Sequence, residues 1–428
     1  MFSPVTFALL SMLPPLAAFM IPERTFSSLL EEPKFVGLQI LLYIGASLGL
    51  FLLGFYSPRG LAVSVRLEEI TRSKRALNTF VGLIVLLLML VIFANLYSIA
   101  QYASQYGIFS YWQLFVQGEF VSGGVFSTYT ESTAGVSWIL VGAPPVILMG
   151  FWLNWRSAYR IVPWYLLYSA LALSVIRPLL RGDRAALLQS VFPLVLTGLY
   201  FLYTTKRLTF AKAILGVLAT VAFATITFVI FQISRSEVSN GLGNFTLINL
   251  FGYAFGGYNR FAVQIAWGVP LPPSHGYYTL AFVEMFPILN KLLPLETWVR
   301  SLTGYVPPHS TFALVGNYGL NPNYNVITAF GNTYLDFGWL GPLLFVPYGF
   351  VVRVAYNSLR AERAFGIMTY GPIIFTIVEW RGKLEITWYN FTAQLLFVLL
   401  IAGVGFVLRN LSRHYPRKRS HDASKNRS

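Results

Sequence analysis

The 428-residue chain contains no cysteine. Disulfides, thiolate metal sites and cysteine nucleophiles are therefore excluded, while the redox compartment stays open. Charge is also scarce, at 11% of residues, where a soluble domain carries about 25%. Acidic residues are the scarcest charged class, 16 against 31 Lys and Arg, and the stretch from 100 to 133 holds no Lys or Arg at all. Period-two strands of the kind that build a membrane barrel are not seen. What the chain does have is apolar residues, 56% of the total, with a mean hydropathy of +0.61. They fall in repeated runs of about 17–22 residues, the length of a membrane-crossing helix, which satisfies its own backbone hydrogen bonds.

The composition thus predicts an all-α polytopic integral membrane protein with about ten spans. They are placed near 4–21, 36–56, 78–98, 134–153, 162–177, 185–203, 213–233, 339–356, 366–379 and 388–408. This divides the chain into seven helices over 1–233, an extracytoplasmic loop over 234–338, three helices over 339–408 and a basic cytoplasmic tail over 409–428. The formal charge of +15 does not point to nucleic acid. The basic residues sit in short turns between apolar runs, where they set topology. The tail RNLSRHYPRKRSHDASKNRS reads as a disordered anchor on anionic lipid. No Lys or Arg precedes the first apolar run, so a cleavable signal is not expected.

Charge assigns the sides. Arg59, Arg66, Arg72, Lys74 and Arg75 make the second turn cytoplasmic, and parity then places Arg156/Arg160, Lys206/Arg207/Lys212, Arg353/Arg360/Arg363 and both termini inside. That choice puts 20 of the 31 basic residues inside and 12 of the 16 acidic residues outside. Against this trend, SVIRPLLRGDRAALL displays Arg177, Arg181 and Arg184 outward. The i, i+4, i+7 spacing predicts one helical face. A guanidinium fork matches phosphate and stays charged, and amides opening the next helix favour the same anion. A diphosphate at the outer membrane surface fits this cluster, and snorkelling to lipid headgroups is the plainer alternative. Further outward charges at Arg235, Arg260, Arg300, Arg381 and Lys383 are candidates to converge on it. A hydrophobic groove between helices, open to lipid, is expected for the tail of a lipid-borne diphosphate.

The long loop is rich in Tyr, Trp, Asn, Gly and Pro, and its apolar pieces read as amphipathic or re-entrant segments. Tyr258, Asn259, Arg260, Tyr318, Asn332, Tyr334, Asp336 and Arg381 are the candidate substrate-binding residues. Aromatic faces and amides suit sugar rings and hydroxyls, though interfacial aromatics are common in any membrane protein. His309, whose imidazole titrates near neutrality, is the candidate general base. Asp336 also reads as a helix cap. No HExxH or other ligand spacing appears, so neither a metal nor a cofactor is expected. Asp336-Phe337-Gly338 spells a kinase triplet without the other kinase elements.

NVITAFGNTYLDFGWLGPLLF, entering the eighth helix, resembles the segment after the large outer loop of bacterial oligosaccharide repeat-unit polymerases of the Wzy type. The matching residues are Phe330-Gly331, Tyr334, Asp336-Phe337-Gly338 and Gly341. Arg181-Gly182 is similar to the family's arginine-glycine element, and the layout of helices is similar along most of the chain. The O-antigen ligases share the layout, but they carry a His-Asn-x-Tyr-Leu element, and here Gly331 stands at the histidine position. The resemblance implies a GT-C-like membrane glycosyltransferase in the bacterial inner membrane. Its substrate would be undecaprenyl-diphosphate-linked oligosaccharide, polymerised into O-antigen, capsule or exopolysaccharide by metal-independent inverting transfer. A chain-length regulator and a flippase would be its partners, alongside membrane lipids. A ligase and a lipid-linked sugar transporter are the alternatives. A further one is another polyprenyl-dependent glycosyltransferase with acidic residues in its first outer loop, here Glu23, Glu31 and Glu32.

Overall fold

The computed structural model describes residues 3–57, 61–62, 73–106, 135–156, 161–181, 183–233, 242–268, 273–284, 293–305, 316–321 and 326–414. Among them there is no strand. The N-terminal apolar run is broken into α1 (Pro4–Leu10) and α2 (Leu13–Met20), after which α3 (Glu23–Leu30) turns away by 110°. Next come α4 (Leu38–Tyr56), α5 (Lys74–Tyr106), α6 (Val136–Val141) and α7 (Ala143–Arg156). The hairpin α8 (Trp164–Arg181) and α9 (Arg184–Thr204) follows, then α10 (Phe210–Ile233).

Among the described residues, six helical stretches are long and apolar enough to cross a membrane, or seven if the bent N-terminal pair counts as one span. All ten expected runs are helical, but several fall short of a span by length. The shortest of the late ones is α16 (Ala364–Val378), buried on nearly every side among α7, α9, α15 (Phe345–Arg360) and α17 (Tyr389–His414). A helix apolar all round belongs in a core, and α16 is that core.

The stretch 234–338 differs from the picture of a surface loop. It contains the 26-residue α11 (Leu242–Trp267), then α12 (Tyr277–Glu284), α13 (Leu295–Thr303) and α14 (Thr328–Phe337). The middle of α11 is core: Tyr258, Asn259 and Phe261 are fully buried against α2, α3, α4 and α14. The eighth expected helix also starts earlier. A 3-10 segment, Gly338–Leu344, joins α14 to α15, so one apolar stretch runs from Thr328 to Arg360.

The turns sort to two ends. At one, Arg363 donates to the Ala62 carbonyl, Arg156 pairs with Glu362, and Arg207 lies over Trp155. At the other, the segment after α3, the Asp183 turn and the 379–388 turn meet α11 and α14. These are the groupings that the charge reading assigns to opposite sides.

Candidate functional site

The helix that carries Arg177, α8, ends at Arg181, and a second one, α9, begins at Arg184. The Asp183 carboxylate caps α9 by accepting from the Ala186 N–H at 3.0 Å. One helical face therefore does not carry all three, which corrects the i, i+4, i+7 expectation. An acidic cap also already serves the α9 N-terminus that was expected to favour an anion. Arg177, 6% exposed, reaches into the seam between α6, α9 and α17, against Gln189, Ser190 and Gln394. The void there is about 10 Å³, space for about one water and not for a substrate.

Gln189 links this seam to the 379–388 turn. Its amide donates to Glu385 Oε1 at 3.1 Å, Asn390 donates to the same oxygen at 3.2 Å, and Lys383 Nζ stands 3.0 Å from Oε2. Lys383 also lies 4.3 Å from the centroid of the Trp388 ring. Glu385 is 2% exposed. Burial pushes its carboxyl above the usual carboxylate range; Lys383 pulls it down and Glu379 adds to the rise. Sequence reading missed Glu385, Gln189 and Gln394. A glutamine inside an apolar run, as in AALLQSVF and FTAQLLFV, was the available signal.

Most of the expected sugar contacts are instead scaffold. Asn259 bridges α11 to the N-terminal segment: its amide donates to Glu32 Oε1 at 3.1 Å and to the Pro33 carbonyl at 2.8 Å, and its oxygen accepts from the Phe35 N–H at 2.7 Å. Arg260, 2% exposed, donates to the Asn321 carbonyl, and the Asn321 N–H donates to Glu32 Oε2 at 2.9 Å. Burial raises the Glu32 carboxyl, opposed by the Asn321 N–H, Arg260 and Asn259. Tyr258 is fully buried. Tyr334 meets Tyr43 and Phe261 edge-on, and Tyr318 packs on Trp267. Asn332 accepts from the Leu384 N–H at 3.1 Å, which fixes the 379–388 turn.

Asp336 caps a helix, but a distant one. Its two oxygens accept from the Ser274 hydroxyl, the Tyr278 and Thr279 N–H groups and the Thr279 hydroxyl, which anchors the start of α12. Both of its oxygens are committed to this cap. Arg381 stands 3.8 Å from Glu379, so the 379–385 turn holds two acids and two bases in two pairs and is close to neutral. Beside it, Thr328 holds φ at +71°, a costly value for a β-branched residue. Its N–H donates to the Gly382 carbonyl and its hydroxyl accepts from the Gly331 N–H. His309 and Arg235 lie outside the described residues.

No group of His, Asp and Glu with metal-site geometry occurs among the described residues. No family model, curated protein or solved structure matches the chain.

Proposed function

We propose that the chain is a membrane glycosyltransferase of GT-C-like plan with ten crossings, which polymerises lipid-diphosphate-linked oligosaccharide repeat units at the outer leaflet of a bacterial inner membrane. The observation that supports this reading is a buried guanidinium, Arg177, one to two helical turns from the Arg181–Arg184 turn and lining the same small void as Gln189, which bonds Glu385. In the proposed step, an acceptor hydroxyl attacks the anomeric carbon of the donor glycan. The bond to the lipid diphosphate breaks with inversion, and the hydroxyl proton passes to solvent or to a base. Negative charge grows on the departing diphosphate. Preorganised arginines stabilise it most in the transition state, where one such donor is worth roughly 3–4 kcal/mol, or about 10²–10³ in rate. The Glu385 network holds the facing wall, and its role is positioning.

The test uses purified protein with lipid-linked repeat units. A ladder of glycan lengths on lipid diphosphate is expected, and Arg181→Ala should cut its formation by about 10²-fold or more while the protein remains in the membrane. A host lacking the gene should accumulate single repeat units on lipid. An unchanged chain-length distribution in that host removes the polymerase reading.

A further inference from the structure

A second feature is separate from the arginine seam. A cavity of about 490 Å³ lies between α7, α8 and α9, and every side chain lining it is apolar, including Trp152, Trp155, Leu171, Val191, Phe201 and Leu202. Its position along the span follows from helix geometry. Val191, a residue near its top, lies seven residues into α9, roughly 10 Å below the Arg184 turn at 1.5 Å per residue. Trp155 and Leu202 lie one and two residues from the opposite ends of α7 and α9. The groove therefore does not reach the level of Arg181 and Arg184, where the tail of an outer-leaflet substrate would begin. It belongs to the other end.

That end is rimmed by cations resting on the groove's own tryptophans. The Arg207 guanidinium lies 4.7 Å from the Trp155 ring centroid, and that of Arg156 lies 5.2 Å from the centroid of Trp152. Arg156 is paired with Glu362. Arg207 faces no carboxylate within ion-pair reach among the described residues, and Lys206 and Lys212 stand exposed in the same turn. A cation on an indole face keeps its N–H edge for an anion. Basic pockets between spanning helices at the cytoplasmic surface suit phospholipid phosphate.

We propose that this groove is a binding site for one anionic phospholipid of the leaflet at that end, the cytoplasmic one by charge distribution. An acyl chain lies along α9 and the phosphate sits on Arg207. The assignment is independent of the glycosyltransferase reading.

Gly198 supplies the test, because it lines the groove and a Cβ there meets nothing within 4 Å. Gly198→Leu therefore puts a side chain into the groove with its Cβ clear of the protein. Full-length protein in neutral detergent is mixed with dioleoyl phosphatidylglycerol or with phosphatidylcholine of the same chains, and retained lipid is read by native mass spectrometry. Wild type should keep one phosphatidylglycerol about tenfold more tightly than phosphatidylcholine. Arg207→Gln should erase that preference, and Gly198→Leu should abolish retention of both. Equal retention of the two lipids by wild type overturns the proposal, as does undiminished phosphatidylglycerol on Gly198→Leu. A second copy of the chain occupying the groove, seen as a dimer that Gly198→Leu dissociates, overturns it too. Should Gly198→Leu fail to fold, an unchanged preference in Arg207→Gln is decisive against it.

Discussion

A carboxylate taken out of water costs several kcal/mol unless charge and hydrogen bonds replace its hydration, and Glu385 has three such partners. Their compensation is incomplete, since its carboxyl remains above the ordinary range. The sign of the pH effect follows. With the folded value raised, the native state holds its proton longer than the unfolded chain, so stability is greatest below the ordinary carboxylate range. It falls as pH rises through the folded value. Glu385→Gln keeps an acceptor for Gln189 and Asn390 and cannot ionise. The difference in melting temperature, wild type minus variant, should therefore decline as pH rises from 4 to 8; a flat difference would mean that Glu385 titrates as if in water. The residue scale is also where sequence reading reached least far. Asn259 and Asp336 stood out as polar residues in aromatic surroundings, yet Asn259 bonds a segment more than 220 residues away and Asp336 caps a helix 57 to 62 residues back. Nothing local distinguishes an amide that meets a sugar from one that meets a distant backbone.

At the scale of elements, the helices themselves were legible, because a long run of apolar residues must satisfy its own backbone hydrogen bonds as a helix. What was not legible is α11, whose interior is Tyr258, Asn259 and Arg260, where Asn259 and Arg260 bond to partners far away in sequence. The closest pairing in the fold is α4 on α15. A Cβ at Gly54 would land on the Val346 carbonyl, and one at Gly349 would land on the Phe51 carbonyl. Small residues on both sides let the two backbones touch, the device by which spanning helices associate without a hydrophobic driving force between them. Around this contact Phe51 meets Tyr348 and Trp380 edge-on, with centroids 5.8 and 5.2 Å apart. Backbone cannot retreat as a flexible side chain does, so Gly349→Val should cost about 3 kcal/mol, the upper part of the overpacking range. Thermal unfolding in detergent measures it. Gly45→Ala in the partner helix α4, where an added Cβ meets nothing within 4 Å, should not lower the melting temperature, since alanine is the better helix former.

For the whole molecule, the assignment of sides decides what each end meets. The turns that carry most of the Lys and Arg gather at one end through Arg363–Ala62, Arg156–Glu362 and Arg207–Trp155. The Glu32, Asp183 and Glu385 turns gather at the other. Positive charge is retained on the cytoplasmic side of membrane proteins, so the topology proposed from charge has the first end facing the cytosol and Arg177 toward the exterior. The absence of cysteine makes this directly measurable, because any thiol introduced is the only one in the chain. Ser28, exposed on α3, and Thr205, exposed in the turn after α9, stand at opposite ends. A membrane-impermeant maleimide should label Ser28→Cys on intact spheroplasts, and Thr205→Cys only after permeabilisation. The reverse pattern would place Arg177 and the Glu385 turn toward the cytosol. An outer-leaflet diphosphate would then lose its cation, and the groove between α8 and α9 would open to the opposite leaflet.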